Sequence, residues 1–139
     1  EALHSIAAAI DRTVCVNFIF PQATLSLNMD RHGYAIELFN ALLDDTPNHE
    51  ELLLNRAESH MALKPYDMAK KDFSTLRSFA PNDPRNYYRF AQIAEAQNQT
   101  GEELKNYTLF LKYVDPESVP AEELQRVQTR VKQLQGSTP

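Results

Sequence analysis

Three prolines set a ruler along this chain. Pro47, Pro81 and Pro116 lie 34 and 35 residues apart, and Ala35, Ala69 and Leu104 repeat the same two intervals, as do Phe39, Phe73 and Thr108. A period of this length constrains the fold more than any single motif. One such unit cannot bury its own apolar face and has to stack on a neighbour. The connections alternate between two kinds. One is a polar turn, Lys64-Pro65 or Asn98-Gln99-Thr100-Gly101; the other is a Pro/Asp/Asn turn such as Pro81-Asn82-Asp83-Pro84.

Between the turns, apolar residues recur at spacings of three and four, which predicts helices over residues 33–44, 50–63, 66–79, 84–97, 102–114 and 120–135. Local chemistry agrees with these limits. Pro84 suits a first helical position, where its missing N–H costs nothing. Thr100 ahead of Glu102 and Glu103 marks another start, and Pro116 pushes Asp115 out of the helical region and stops the helix before it. In the unit 50–83, Leu53, Ala57 and His60 share one helical face, and Ala69, Phe73 and Leu76 share another. The small residues Ala57 and Ala69 let two backbones approach while the large ones fill the space around them.

These residues carry a family resemblance. The unit reads Leu53-x2-Arg56-Ala57-x2-His60, then Ala69-x3-Phe73, then Pro81. It resembles a tetratricopeptide repeat, whose pattern is Trp-x2-Leu-Gly-x2-Tyr, Ala-x3-Phe, Pro. The next unit reads Tyr87-x2-Phe90-Ala91-x2-Ala94, then Leu104-x3-Thr108, then Pro116, with one extra residue in its turn; the unit before keeps Ala35-x3-Phe39 and Pro47. His60, Arg56 and Thr108 depart from the pattern, so the register carries the resemblance. It implies an all-α fold of stacked antiparallel helical hairpins, a superhelix of about three repeats, with a C-terminal capping helix. The expected organisation is an N-terminal segment 1–31, irregular or a degenerate first repeat; repeats within 32–119 (32–49, 50–83, 84–117); and a capping helix and tail over 120–139. The tail fits the capping role, with Leu124, Val127, Val131 and Leu134 in one stripe, Glu122 and Glu123 near its start, and Arg126, Arg130 and Lys132 after them.

The N-terminal third follows other rules. Leu3, Ile6, Ala7 and Ile10 form a short helical stripe, whereas Val14, Val16, Phe18 and Phe20 alternate in a β-like manner, and Pro21 falls where the first repeat's first helix should run. Either that helix is displaced to residues 2–12 or the region has a separate structure. Phe18, Ile19 and Phe20 are expected to plug the core; exposed, they would imply a partner or self-association. The chain begins at Glu1 and not Met, which leaves room for a leader or a preceding domain.

Several chemistries are argued against. The net charge is −5, so a cationic footprint for nucleic acid or anionic membrane is missing. The longest apolar run, residues 14–20, is broken by Asn17 and is far below the ~20 residues of a spanning helix. Cys15 is the one cysteine, which precludes an internal disulfide and a multi-cysteine zinc site; lying in an apolar run, it is expected to be a buried, inert thiol. His4, His32, His49 and His60 form no His-Glu-x-x-His spacing, and Gly33, Gly101 and Gly136 are isolated, so no phosphate-cradling loop is present. The paired carboxylates sit at helix ends, where dipole and capping interactions explain them. No catalytic residue, metal ligand or cofactor is assigned.

One constellation stands out. Asn55 lies on one first helix, and Arg85 and Arg89 lie four residues apart on the next, hence on one face. Two guanidinium groups so placed can hold a carboxylate bidentately, with Asn55 donating an amide hydrogen bond. Tyr88 completes the candidate peptide-binding set. The arrangement resembles the carboxylate clamp of co-chaperones that grip acidic C-terminal tails of heat-shock chaperones. That clamp also carries a Lys and an Asn four apart on the preceding first helix, and residues 17–29 hold no such pair.

The expected function is a non-enzymatic protein–protein interaction module, an adaptor, scaffold or co-chaperone holding a partner peptide, with an acidic or C-terminal carboxylate group in view. Two alternatives stand beside it: a dimeric chaperone of a bacterial secretion system, paired through its N-terminal segment, and the C-terminal repeat region of a larger enzyme. The expected location is cytoplasmic, or periplasmic after removal of a signal.

Overall fold

The computed structural model describes residues 12–64 and 66–137, with side chains from residue 18 onward. All regular structure among the described residues is helical. The chain divides into two compact units, Glu1–Leu76 and Arg77–Pro139.

The first unit contains α1 (Arg12–Asn28), α2 (His32–Asp45), α3 (Glu50–Leu63) and most of α4 (Asp67–Phe79). Helix α1 packs on α2, and α2 on α3. Asp30, at φ 57°, ends α1 in the left-handed region that Asp tolerates, and Arg31 N–H closes the turn onto the Ser26 carbonyl at 2.8 Å. Ala35, Phe39, Ala57, Ala69 and Phe73 are fully buried, as the repeat register requires. Arg56, which departs from the repeat pattern, is the centre of a polar cross-link. Its Nε and Nη2 donate to Asp72 Oδ2 and Oδ1 at 2.8 and 2.7 Å, and its Nη1 donates to Asn40 Oδ1 at 2.9 Å. The side chain of Asp72 is only 3% exposed, so this bidentate pair joins α2, α3 and α4 from inside.

The N-terminal expectations change here. The alternating stretch at 14–20 lies within α1, a 17-residue helix with Pro21 inside it. Proline removes one helical hydrogen bond, but packing against α2 outweighs local preference. Phe18 is not a core plug: it is 68% exposed, while Ile19 and Phe20 are half-buried. Alternation of period two placed Phe18 with Phe20, whereas helical geometry turns them about 200° apart. The proposed helix at 2–12 and the Cys15 thiol lie outside the described residues and side chains.

The second unit contains the end of α4, then α5 (Pro84–Ala96), α6 (Thr100–Tyr113), a 3₁₀ turn (Pro116–Ser118) and α7 (Ala121–Ser137). Pro84 opens α5 as expected, and Asp83 caps it by accepting from Arg85 N–H at 3.0 Å. Helix α6 begins at Thr100 itself, with Gln99 as its cap residue. Its close neighbour α5 meets it through Tyr87, Ala91, Tyr107 and Phe110, and α7 closes the same cluster with Val127 and Val131. Leu134 is also buried and Leu124 partly so, which makes the predicted tail stripe the docking face of α7.

Candidate functional site

The structure places the predicted site residues in two settings. Asn55 is half-buried on α3 in the first unit, where its carbonyl accepts from Ser59 Oγ at 2.9 Å. Arg85, Tyr88 and Arg89 lie on α5 in the second unit. The Asp83 cap sets the position of Arg85. Its Nη2 donates to Asp83 Oδ2 at 2.7 Å, and this bond holds the Asp83 carboxyl below its ordinary pKa. The Arg85 side chain remains three-quarters exposed. One turn on, Arg89 Nη1 donates to Gln92 Oε1 at 2.7 Å, and its guanidinium lies 5.8 Å from the Tyr88 ring centroid. The helix therefore presents two guanidinium groups on one side, in a protein of net charge −5.

Tyr88 has a larger role than a peptide-facing ring. It packs at 5.2 Å against Phe110 and 6.1 Å edge-on to Tyr107, and its hydroxyl donates to Glu123 of α7. Arg126 joins the same group. Its Nη2 donates to Glu123 Oε1 at 3.0 Å, to the Tyr88 hydroxyl at 3.2 Å and to the Tyr107 hydroxyl at 3.3 Å. Tyr107 in turn donates to Glu95 Oε2 at 2.9 Å. Burial, with the Glu95 bond opposing ionisation, pushes Tyr107 up to about 12; the bond to Arg126 pulls the other way. The Tyr88 and Arg126 bonds hold Glu123 below the usual carboxylate range. The sequence pattern does not bring Glu123, Arg126, Tyr107 and Glu95 together. Arg126 was visible only as a charge suited to the helix dipole, because nothing in one sequence pairs residue 126 with residues 88 and 107.

Two of the described histidines have local contacts. His49 caps α3 by accepting from Leu52 N–H at 3.4 Å, and His32 Nε2 lies 3.7 Å from Asp30. Among the described residues there is no group of three or more His, Cys, Asp or Glu able to hold a metal, and no helix long and apolar enough to cross a membrane.

No family model and no curated protein matches this chain. Solved structures do. The Yersinia enterocolitica type III secretion chaperone SycD, in complex with a peptide of the translocator YopD, matches at a TM-score of 0.75 and 17% identity over 86% of this chain and 92% of that one. The first tetratricopeptide domain of Spaghetti (RPAP3), bound to the HSP90 peptide SRMEEVD, matches at 0.70 and 18% identity over 90% and 96%. The fold is tetratricopeptide-like. In its register Asn55 and Arg89 occupy the same helix position 34 residues apart, and Arg85 precedes Arg89 by one turn.

Proposed function

We propose that this chain is a non-enzymatic peptide-binding module, an adaptor or co-chaperone whose partner is an acidic peptide. The observation that carries this reading is the pair Arg85 and Arg89, side by side on α5 in a fold whose solved neighbours each hold a peptide. In this proposal the two guanidinium groups of α5 take a carboxylate of the partner. Tyr88 contributes through its ring, over which the Arg89 guanidinium lies. The Arg85 guanidinium of the Arg85–Asp83 pair is three-quarters exposed and so open to a ligand carboxylate.

The test is titration of acidic peptides, SRMEEVD among them, and their C-terminally amidated forms against wild type, Arg85→Ala and Arg89→Ala. Loss of one charge-assisted contact should weaken binding by about ten- to a hundred-fold. Binding that ignores both amidation and substitution overturns the reading.

A second reading, a dimeric chaperone, draws on α1. From Thr13 to Asn28 that helix has no charged residue; Phe18 and Leu25 are 68 and 58% exposed on it, and Met29, just after it, is 53% exposed. An uncharged apolar face suits self-pairing in a chain whose copies otherwise repel. Light scattering that finds a monomer at high concentration would remove this reading.

A further inference from the structure

Glu123 is bound as a ligand would be. Its Oε1 accepts from the Tyr88 hydroxyl and from both Nε and Nη2 of Arg126, at 3.2 and 3.0 Å for the latter two. A phenol and a guanidinium fork converging on one carboxylate oxygen form a carboxylate-recognition geometry, here satisfied from within the chain. The cradle does not depend on its occupant. The Tyr88 ring is held by Phe110 and Tyr107, and Arg126 is also held by the Tyr107 hydroxyl and by Glu95 at 3.9 Å. Removing Glu123 would therefore leave both donors close to their present positions. The occupant is also accessible: Glu123 is one-third and Arg126 43% exposed, so water already competes for this pair. Finally, Tyr88 links the cradle to α5. The guanidinium of Arg89 sits at its ring and that of Arg126 at its hydroxyl. Alternate side chains of an extended peptide recur every ~7 Å, a spacing suited to neighbouring cationic sites.

We propose that Tyr88 and Arg126 form a second carboxylate-binding site, occupied by Glu123 in the free protein, and that an acidic side chain within a bound peptide displaces Glu123 from it. Helix α7 then does more than cover the last repeat. It supplies both a reading residue, Arg126, and an internal competitor, Glu123, that sets the affinity threshold for acidic partners. Tyr107 and Glu95 are positioning residues that hold Arg126. This inference rests on the peptide-binding reading above and names a further determinant of the partner, an internal acidic residue in addition to a terminal carboxylate.

The experiment is calorimetric titration of the full chain with SRMEEVD and with SRMQQVD, which keeps the terminal carboxylate and lacks the internal acids. Glu123→Ala should tighten SRMEEVD binding about two- to five-fold, the range that corresponds to freeing an exposed ion pair. It should leave SRMQQVD unchanged. In the Glu123→Ala background, Tyr88→Phe and Arg126→Gln should each abolish the gain, and their effects there should exceed those in wild type. Glu123→Gln, which keeps the shape and removes the charge, should give a smaller gain of the same sign. Circular dichroism melts of each variant separate these effects from loss of α7. Unchanged or weakened SRMEEVD binding in both Glu123 variants, with Arg89-dependent binding retained, overturns this inference and leaves the peptide-binding reading standing. Absence of binding by every form overturns both.

Discussion

The chain's two terminal described helices are equal in length, 17 residues each, and opposite in construction. Helix α7 turns Val127, Val131 and Leu134 into the second unit's core and flanks them with Glu123, Arg126 and Arg130. Arg130 Nε donates at 2.6 Å to Glu103, whose side chain is 1% exposed. Helix α1 buries Ala23 and Ser26 and leaves Phe18 and Leu25 in solvent. Helix α7 joins an apolar stripe to a polar border, whereas α1 shows an uncharged apolar face. The difference lies in what each helix does with its apolar residues: α7 buries a continuous stripe, and α1 leaves large apolar side chains exposed.

A buried ion pair and an exposed one differ in what they contribute, and this contrast gives the largest expected effect. Asp72→Ala strips Arg56 of a partner inside the first unit and should cost about 3–5 kcal/mol by chemical denaturation. Glu123→Ala removes a carboxylate from an exposed guanidinium and should cost under ~1 kcal/mol. Equal costs would erase the distinction between an internal cross-link and an exchangeable surface pair.

Next in size is packing. Ala69 is fully buried in the first unit, and Ala69→Leu should overpack the helical hairpin by about 1–3 kcal/mol. An unchanged thermal midpoint would show that the register drawn from Ala57 and Ala69 is wrong.

Acid should act on the first unit before the second. Burial holds the His60 pKa below its ordinary 6.5, against the pull of Asp72, with Arg56 adding to the lowering. A base whose folded pKa lies below its unfolded one binds fewer protons when folded, so stability declines as pH falls through 6.5 toward the folded value. Asp83 and Glu123 are carboxylates with lowered pKa values. Their contribution is present above the unfolded values of 3.8 and 4.5 and is lost below them. Between pH 7 and pH 5, amide exchange protection should fall in α3 and persist in α6, and His60→Gln should flatten the change in α3. Parallel loss in both helices would contradict the assignment to His60.

The smallest effect on stability belongs to the exposed face. Leu25→Glu on α1 should change folding stability by no more than ~0.5 kcal/mol, while lowering any concentration-dependent association. A large destabilisation would mean that α1 uses this face in folding.

The departure at Arg56 shows where the sequence reading stopped. Against the repeat pattern it looked like a weakened slot; in the structure it is satisfied by Asp72, 16 residues away, and by Asn40, 16 residues before it. Helical spacing describes one helix at a time and is silent on partners across a hairpin. Pro21 misled for the opposite reason. Its local preference is clear, but one lost hydrogen bond is smaller than the packing that carries α1 through it.

What the sequence determined by itself is the set of helices from residue 32 onward, their period, and the apolar faces they bury. Helix α3 spans the predicted 50–63 and α5 opens at the predicted Pro84, because turn chemistry and 3.6-residue periodicity are local and are written residue by residue. The positions of Arg85 and Arg89 on one face follow from the same geometry. What only the tertiary structure decided is which polar groups meet: Arg56 with Asp72, Arg130 with Glu103, and Tyr88 with Glu123 and Arg126. Those meetings depend on the angles and separations at which helices pack. Such angles and separations arise from many small contacts summed over whole faces, so no single residue encodes them.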